Sequence, residues 1–88
     1  MLKETKKEAL KRLNYVSGHV DGIKRMVDVE VYCVDILKQT YAVRRAIEKL
    51  ESVILASHLR SHVIDGVKEG REKEVLGELL ELYGVSNR

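Results

Sequence analysis

Residues 31–63 read VYCVDILKQTYAVRRAIEKLESVILASHLRSHV, a stretch with neither glycine nor proline. Ile36, Thr40, Val43, Ile47, Leu50 and Ile54 recur at spacings of 4, 3, 4, 3 and 4. That rhythm lays one stripe along an α-helix in the manner of a coiled-coil seam. With no breaker inside it, the stretch predicts a single helix of more than thirty residues, roughly 45–50 Å long at 1.5 Å per residue.

Upstream, Leu13, Val16, Val20, Ile23 and Val27 repeat the seam at spacings of 3, 4, 3 and 4, and the charged run from Lys3 to Lys11 extends the same helix toward the N-terminus. This first helix should stop at about residues 27–29, with Asp28 and Glu30 capping or leading into the next. Downstream, Gly66 and Gly70 in DGVKEGRE mark a break, after which Val75, Leu76, Leu79, Leu80 and Tyr83 form a short amphipathic helix. The expectation is an all-α chain of three helices, one domain over residues 1–88. Composition agrees: of 88 residues 44% are hydrophobic and 34% charged, with no proline, phenylalanine or tryptophan and four tyrosines, so the core must be aliphatic.

Such a chain cannot cover its own longest helix. A first helix of about 25 residues and a short tail leave part of the apolar stripe open, so a second copy must supply the rest. The economical arrangement is an antiparallel dimer in which the first two helices of each chain form a four-helix bundle.

The net charge of +2 conceals polarity. Residues 1–27 hold seven basic against three acidic side chains, residues 28–37 three acidic and no basic, residues 38–62 five against two, and residues 63–88 four against six. Lys11, Arg12, Lys24, Arg25, Arg44, Arg45 and Lys49 are either solvated helix faces or a surface for nucleic acid. Arg44, Arg45 and Lys49 cluster near the centre of the long helix, where a dimer would double their charge. The N-terminal MLKETKKEAL lacks the apolar core of a secretory signal, and nothing approaches the ~20 apolar residues of a membrane span. A cytoplasmic location is expected, in which the lone Cys33 stays a reduced thiol.

Metal-capable side chains are few: Cys33, His19, His58 and His62. His58 and His62 are four apart, which puts both imidazoles on one helix face. Cys33 precedes His58 by 25 residues, roughly 37 Å along a helix, so the three cannot meet within one chain. Across an antiparallel pair they can. The midpoint between Cys33 and the histidines falls at residues 46–47, and Ile47 is a seam position suited to a two-fold axis. Cys33 of one chain would then face His58 and His62 of the other, giving two sites per dimer. Read alone, Cys33 would be a small buried hydrophobe, and His19 a polar residue on or between helices.

Three blocks now carry a resemblance. The RL…G…GI.RM run within KRLNYVSGHVDGIKRM, the YC.DIL.Q…AVR block, and ASHLRSHVIDGVKEG with its spacings from Cys33 to His58 and His62 together resemble the copper-sensitive operon repressor family over about residues 10–82. The resemblance implies an all-helical dimer assembling into a flat tetramer, which binds operator DNA and lets go when an inducer occupies the intersubunit cysteine site. It implies Cys33 as the thiolate ligand and His58 as the imidazole from the other chain. His62 falls where copper sensors usually carry a second cysteine. Tyr32 and Glu78 match the pair that couples the metal to the DNA face, and Arg12 and Lys49 fall on positions implicated in operator binding, with Lys11, Arg44 and Arg45 beside them.

One thiolate and two imidazoles suit Cu(I), with Ni(II), Co(II) or Zn(II) as alternatives. Nickel and cobalt members add a histidine near the N-terminus and use the terminal amine; here that stretch is Met1, Leu2, Lys3, Glu4. Formaldehyde sensors need a proline, and persulfide sensors need two cysteines. An enzyme is not expected, since no pocket lining or general base stands out. The rivals to a Cu(I)-responsive repressor are a nickel- or cobalt-responsive one and a metal-buffering oligomer with no DNA target.

Overall fold

The computed structural model describes residues 1–86. Helix α1 runs Lys3–Asp28 and α2 runs Cys33–His58, packed against each other as an antiparallel pair. After α2 the chain does not stop: a π-helical turn, Leu59–Val63, carries it into α3, Ile64–Lys68, with helical dihedrals at both junctions. A loop then turns it into α4, Glu72–Ser86, which packs back on α3 and the π turn. The three expected helices are therefore present, the middle one being the continuous rod α2–π–α3 of residues 33–68.

Two expectations need correction. Asp28 and Glu30 cap nothing: α2 begins after Tyr32 without a side-chain cap, and Asp28 is the last residue of α1, where its charge opposes the helix dipole. Glu30 instead adopts a left-handed φ of 56° and closes α1 by backbone bonds alone. The amide of Val31 donates to Met26 C=O at 2.9 Å and that of Glu30 to Val27 C=O at 3.1 Å, the paired bonds of a Schellman turn. The same turn ends α3, where Arg71 and Gly70 donate to Gly66 and Val67, and there a glycine holds the left-handed position, with φ 78°. Gly70 is thus the real break. Gly66 lies inside α3, buried, because Val75 of α4 packs directly on its backbone: a Cβ built on Gly66 would stand 2.5 Å from Val75 Cγ1.

The core is thin. Ala9 and Val16 of α1 and Val43 and Leu50 of α2 are its buried apolar residues, with Val75 on α4. Of the remaining seam residues, Ile23, Ile36, Thr40 and Ile54 are half-buried, while Leu13, Val20 and Val27 on α1 and Ile47 on α2 remain between 37% and 56% exposed. Two magnitudes decide what this means. An 88-residue globule should have a radius of gyration of about 12 Å, whereas this chain measures 17.3 Å and spans 55 × 30 × 14 Å. A monomer of 10.1 kDa should expose about 5,300 Å², and this one exposes 7218 Å². The excess, roughly 1,900 Å², is of the order buried per chain in an obligate interface. The half-open seams expected from the sequence are in the structure, as exposed apolar surface along α1 and α2.

Candidate metal centre and nucleic-acid face

The two ends of α2 hold the metal-capable side chains. Cys33 is its first residue and exposed, so the thiol is not the buried hydrophobe that its residue type alone suggests. His58 is its last residue and half-buried. With 26 residues between and including them, thiol and imidazole are separated by roughly 37 Å of helix. Among the described residues, no group of three or more His, Cys, Asp or Glu comes together within the chain. Cys33 therefore cannot join His58 and His62 within one chain.

The histidine half is assembled within one chain. The His58 and His62 rings lie 5.5 Å apart between centroids and are tilted by 38°. The π turn begins directly after His58 and contains His62. Within it the Ser61 hydroxyl donates to Ser57 C=O at 2.7 Å. Ser57 itself is 1% exposed, and its own hydroxyl finds no partner among the described residues. The Met1 ammonium donates to His62 Nε2 at 3.1 Å. The periodicity of the sequence signalled neither the π turn, which has no residue signature of its own, nor this amine, whose place depends on how α1 lies along α2.

Helix α4 sits beside His58, which shares an apolar groove with Ile54, Leu55, Leu79, Leu82 and Tyr83. Glu78, adjacent to Leu79 in sequence, lies close enough to Arg71 to help raise its pKa. The larger causes of that rise are the hydrogen bonds and charge of Glu69, which accepts from Arg71 Nε at 3.1 Å and a terminal nitrogen at 2.8 Å. Tyr32 is 71% exposed at the opposite end of α2. The chain does not bring Tyr32 and Glu78 together, so any coupling between them would also run across an interface.

The basic candidates lie on the outer faces of α1 and α2. Arg45 and Lys49 are exposed and, four apart, share one strip of α2. Arg44 is turned toward Tyr41, its guanidinium carbon 5.4 Å from the ring centroid, and borders the α1/α2 groove with Val20, Ile23 and Lys24. On α1, Lys11 is exposed and Arg12 half-buried against Glu8. His19 bridges the helices as a polar interhelix residue, its Nε2 2.7 Å from Gln39 Oε1 and its ring edge-on to Tyr15. This contact and that of Met1 with His62 set the register of the pair, in which Arg12 lies level with residues 45–49. The antiparallel pairing thus puts Arg12, Arg45 and Lys49 at one level along its length, near the middle.

A profile of metal-sensitive transcriptional repressors matches residues 5–84. The chain belongs to that family. Among its relatives, the copper-sensing transcriptional repressor CsoR of Mycobacterium ulcerans is 39% identical over 80 residues, which cover 91% of this chain and 68% of the relative. CsoR of Mycobacterium tuberculosis is 40% identical over 76 residues, 86% of this chain and 64% of its own length, and CsoR of Bacillus subtilis is 36% identical over 78 residues, 89% and 77%. The chain thus spans about two thirds of the mycobacterial relatives. In three dimensions it matches the crystal structure of CsoR with Cu(I) from Geobacillus thermodenitrificans at a TM-score of 0.94 and 30% identity, over 100% of this chain and 92% of the other. This member of the repressor family shares the all-helical fold of that copper-bound relative, and no helix among its described residues is long and apolar enough to cross a membrane. The family is one of DNA-binding regulators, not enzymes.

Proposed function

We propose that the protein is a cytoplasmic Cu(I)-responsive repressor, with residues 1–88 acting as one unit, that holds operator DNA in its metal-free form and releases it when Cu(I) binds between chains. The observation that carries this reading is the match, over the whole chain, to a copper sensor crystallised with Cu(I). The donor set supports it independently. Cys33 of one chain with His58 and His62 of another offers one soft thiolate and two imidazoles, which is a three-coordinate set suited to Cu(I). When bound, the ion would supply a link between chains that neither chain makes alone.

The chain's own residues do the rest. Helix α2 keeps the two halves of the site at opposite ends, so occupancy reports on the relative placement of two chains. Helix α4, in contact with the groove beside His58, would pass a change there to Glu78, and the flanking Tyr32 would do so from the cysteine side. Arg12, Lys49, Arg45, Arg44 and Lys11 would meet operator phosphates, with affinity falling steeply as salt rises. By linkage, DNA must weaken metal binding by the same factor that metal weakens DNA binding. The assembly in which this happens is proposed as a dimer of antiparallel chains paired into a flat tetramer.

One observation favours a second reading. The Met1 amine lies 3.1 Å from His62 Nε2, so a third nitrogen donor stands beside the two imidazoles, and Ni(II) or Co(II), which call for more nitrogen ligands, would gain from it. The deciding experiment is a titration with Cu(I), Ni(II), Co(II) and Zn(II), following thiolate-to-metal absorption and release of DNA from upstream of the gene in parallel. Tight Cu(I) binding that releases DNA supports the proposal. Release by Ni(II) or Co(II) alone replaces copper by the second reading, and metal uptake with no DNA binding at any salt leaves only a metal buffer.

A further inference from the structure

Arg12 is held in an unusual way. Its Nε lies 3.0 Å from Glu8 Oε1, one helical turn toward the N-terminus. Yet that Nε is shielded from solvent and has no hydrogen bond of acceptable geometry. The pair is thus a charge contact in which the buried N–H stays unsatisfied, and an unsatisfied buried donor is a standing cost. The Arg12 and Glu8 side chains are 31% and 43% exposed, so a phosphate arriving at the surface can reach the guanidinium. A guanidinium presents five donors in a planar fork that matches phosphate oxygens two at a time, a better fit than the single misaligned contact it has.

We propose that Glu8 is an internal competitor for Arg12: a carboxylate that occupies the guanidinium in the free protein, must be displaced by operator phosphate, and thereby sets how weakly the metal-free repressor holds DNA. The inference rests on the reading of Arg12 as a phosphate contact. Its physical content is an exchange in which Arg12 leaves one anion for another, so the net gain per contact is reduced by the worth of the Glu8 pair. The surrounding charges do not substitute for Glu8. Lys7 precedes Glu8 and Lys11 precedes Arg12 in sequence, and Glu4, one turn further out, has no ion pair among the described residues.

The test measures operator affinity of metal-free protein at several salt concentrations for Glu8→Gln, Glu4→Gln, Arg12→Met and the double variant Glu8→Gln/Arg12→Met. An exposed pair four residues apart is worth about a factor of two, so Glu8→Gln should tighten binding about twofold per Arg12 engaged, or about fourfold for a dimer contacting DNA with both. Glu4→Gln removes the same charge and should give a smaller gain. In the Arg12→Met background Glu8→Gln should then do no more than Glu4→Gln does. Weaker binding by Glu8→Gln would mean that Glu8 orients Arg12 rather than competes for it, and overturns the proposal. An undiminished gain without Arg12 overturns it too, since the effect would be bulk charge. If Arg12→Met leaves affinity unchanged, what fails is the placement of Arg12 on the DNA face.

Discussion

Gly66→Ala should loosen the junction that ties α4 to the long rod. A methyl at this position would lie 2.5 Å from Val75 Cγ1, nearly 1 Å inside ordinary contact, and both residues are buried, Val75 to 4% exposure. Val75 cannot simply turn away, because a β-branched side chain on a helix has one strongly preferred rotamer. Overpacking of this kind costs ~1–3 kcal/mol. Against it, alanine is a better helix former than glycine by about 1 kcal/mol. The packing term is the larger over most of that range, and the net loss should be up to about 2 kcal/mol, or up to several degrees in melting temperature for a domain of this size. Helical circular dichroism followed against temperature checks this, at fixed protein concentration because an oligomer's midpoint depends on it. Val75→Ala in the same chain should return part of the loss, since it removes the methyl that collides. Gly66→Ala more stable than the parent would refute the close approach of α4 to α3.

Glu30→Gly should stabilise the protein by up to about 1 kcal/mol by relieving a left-handed residue, with glycine's greater freedom in the unfolded chain offsetting part of the gain; a lower melting temperature would show that the Glu30 side chain does more than fill the turn. Cys33→Ala, at an exposed position, should leave helicity and operator binding unchanged and abolish DNA release by Cu(I), and persistent release in a gel shift would remove Cys33 from the site. Light scattering at micromolar concentration should give at least twice 10.1 kDa; a monomeric mass would eliminate the intersubunit site.

The helices were legible in the sequence because periodicity reports which face is apolar, and glycine-free continuity reports length. The positions that escaped are those where backbone geometry decides. A glutamate at Glu30 gives no hint of a left-handed turn, since most residues there would be glycine, and Gly66 reads as a breaker until Val75 is seen against it. The separation of Cys33 from His58 followed from counting along a helix. The π turn that carries His62 did not, because such a turn has no residue signature of its own. The Glu8–Arg12 pair was visible only as two charges four apart, indistinguishable by spacing from any solvated ion pair.

The length of α2 has a genetic consequence. Each proposed site takes its sulfur from one gene product and its nitrogens from another, so defects in the two halves are complementary rather than additive. A chain lacking Cys33 and a chain lacking His58 and His62, expressed together, can pair so that one site receives every donor and the other receives none. Two alleles, each silent alone, would restore half the sensing capacity of the mixed dimer. A sensor whose ligands sat together on one chain could not be rescued in this way.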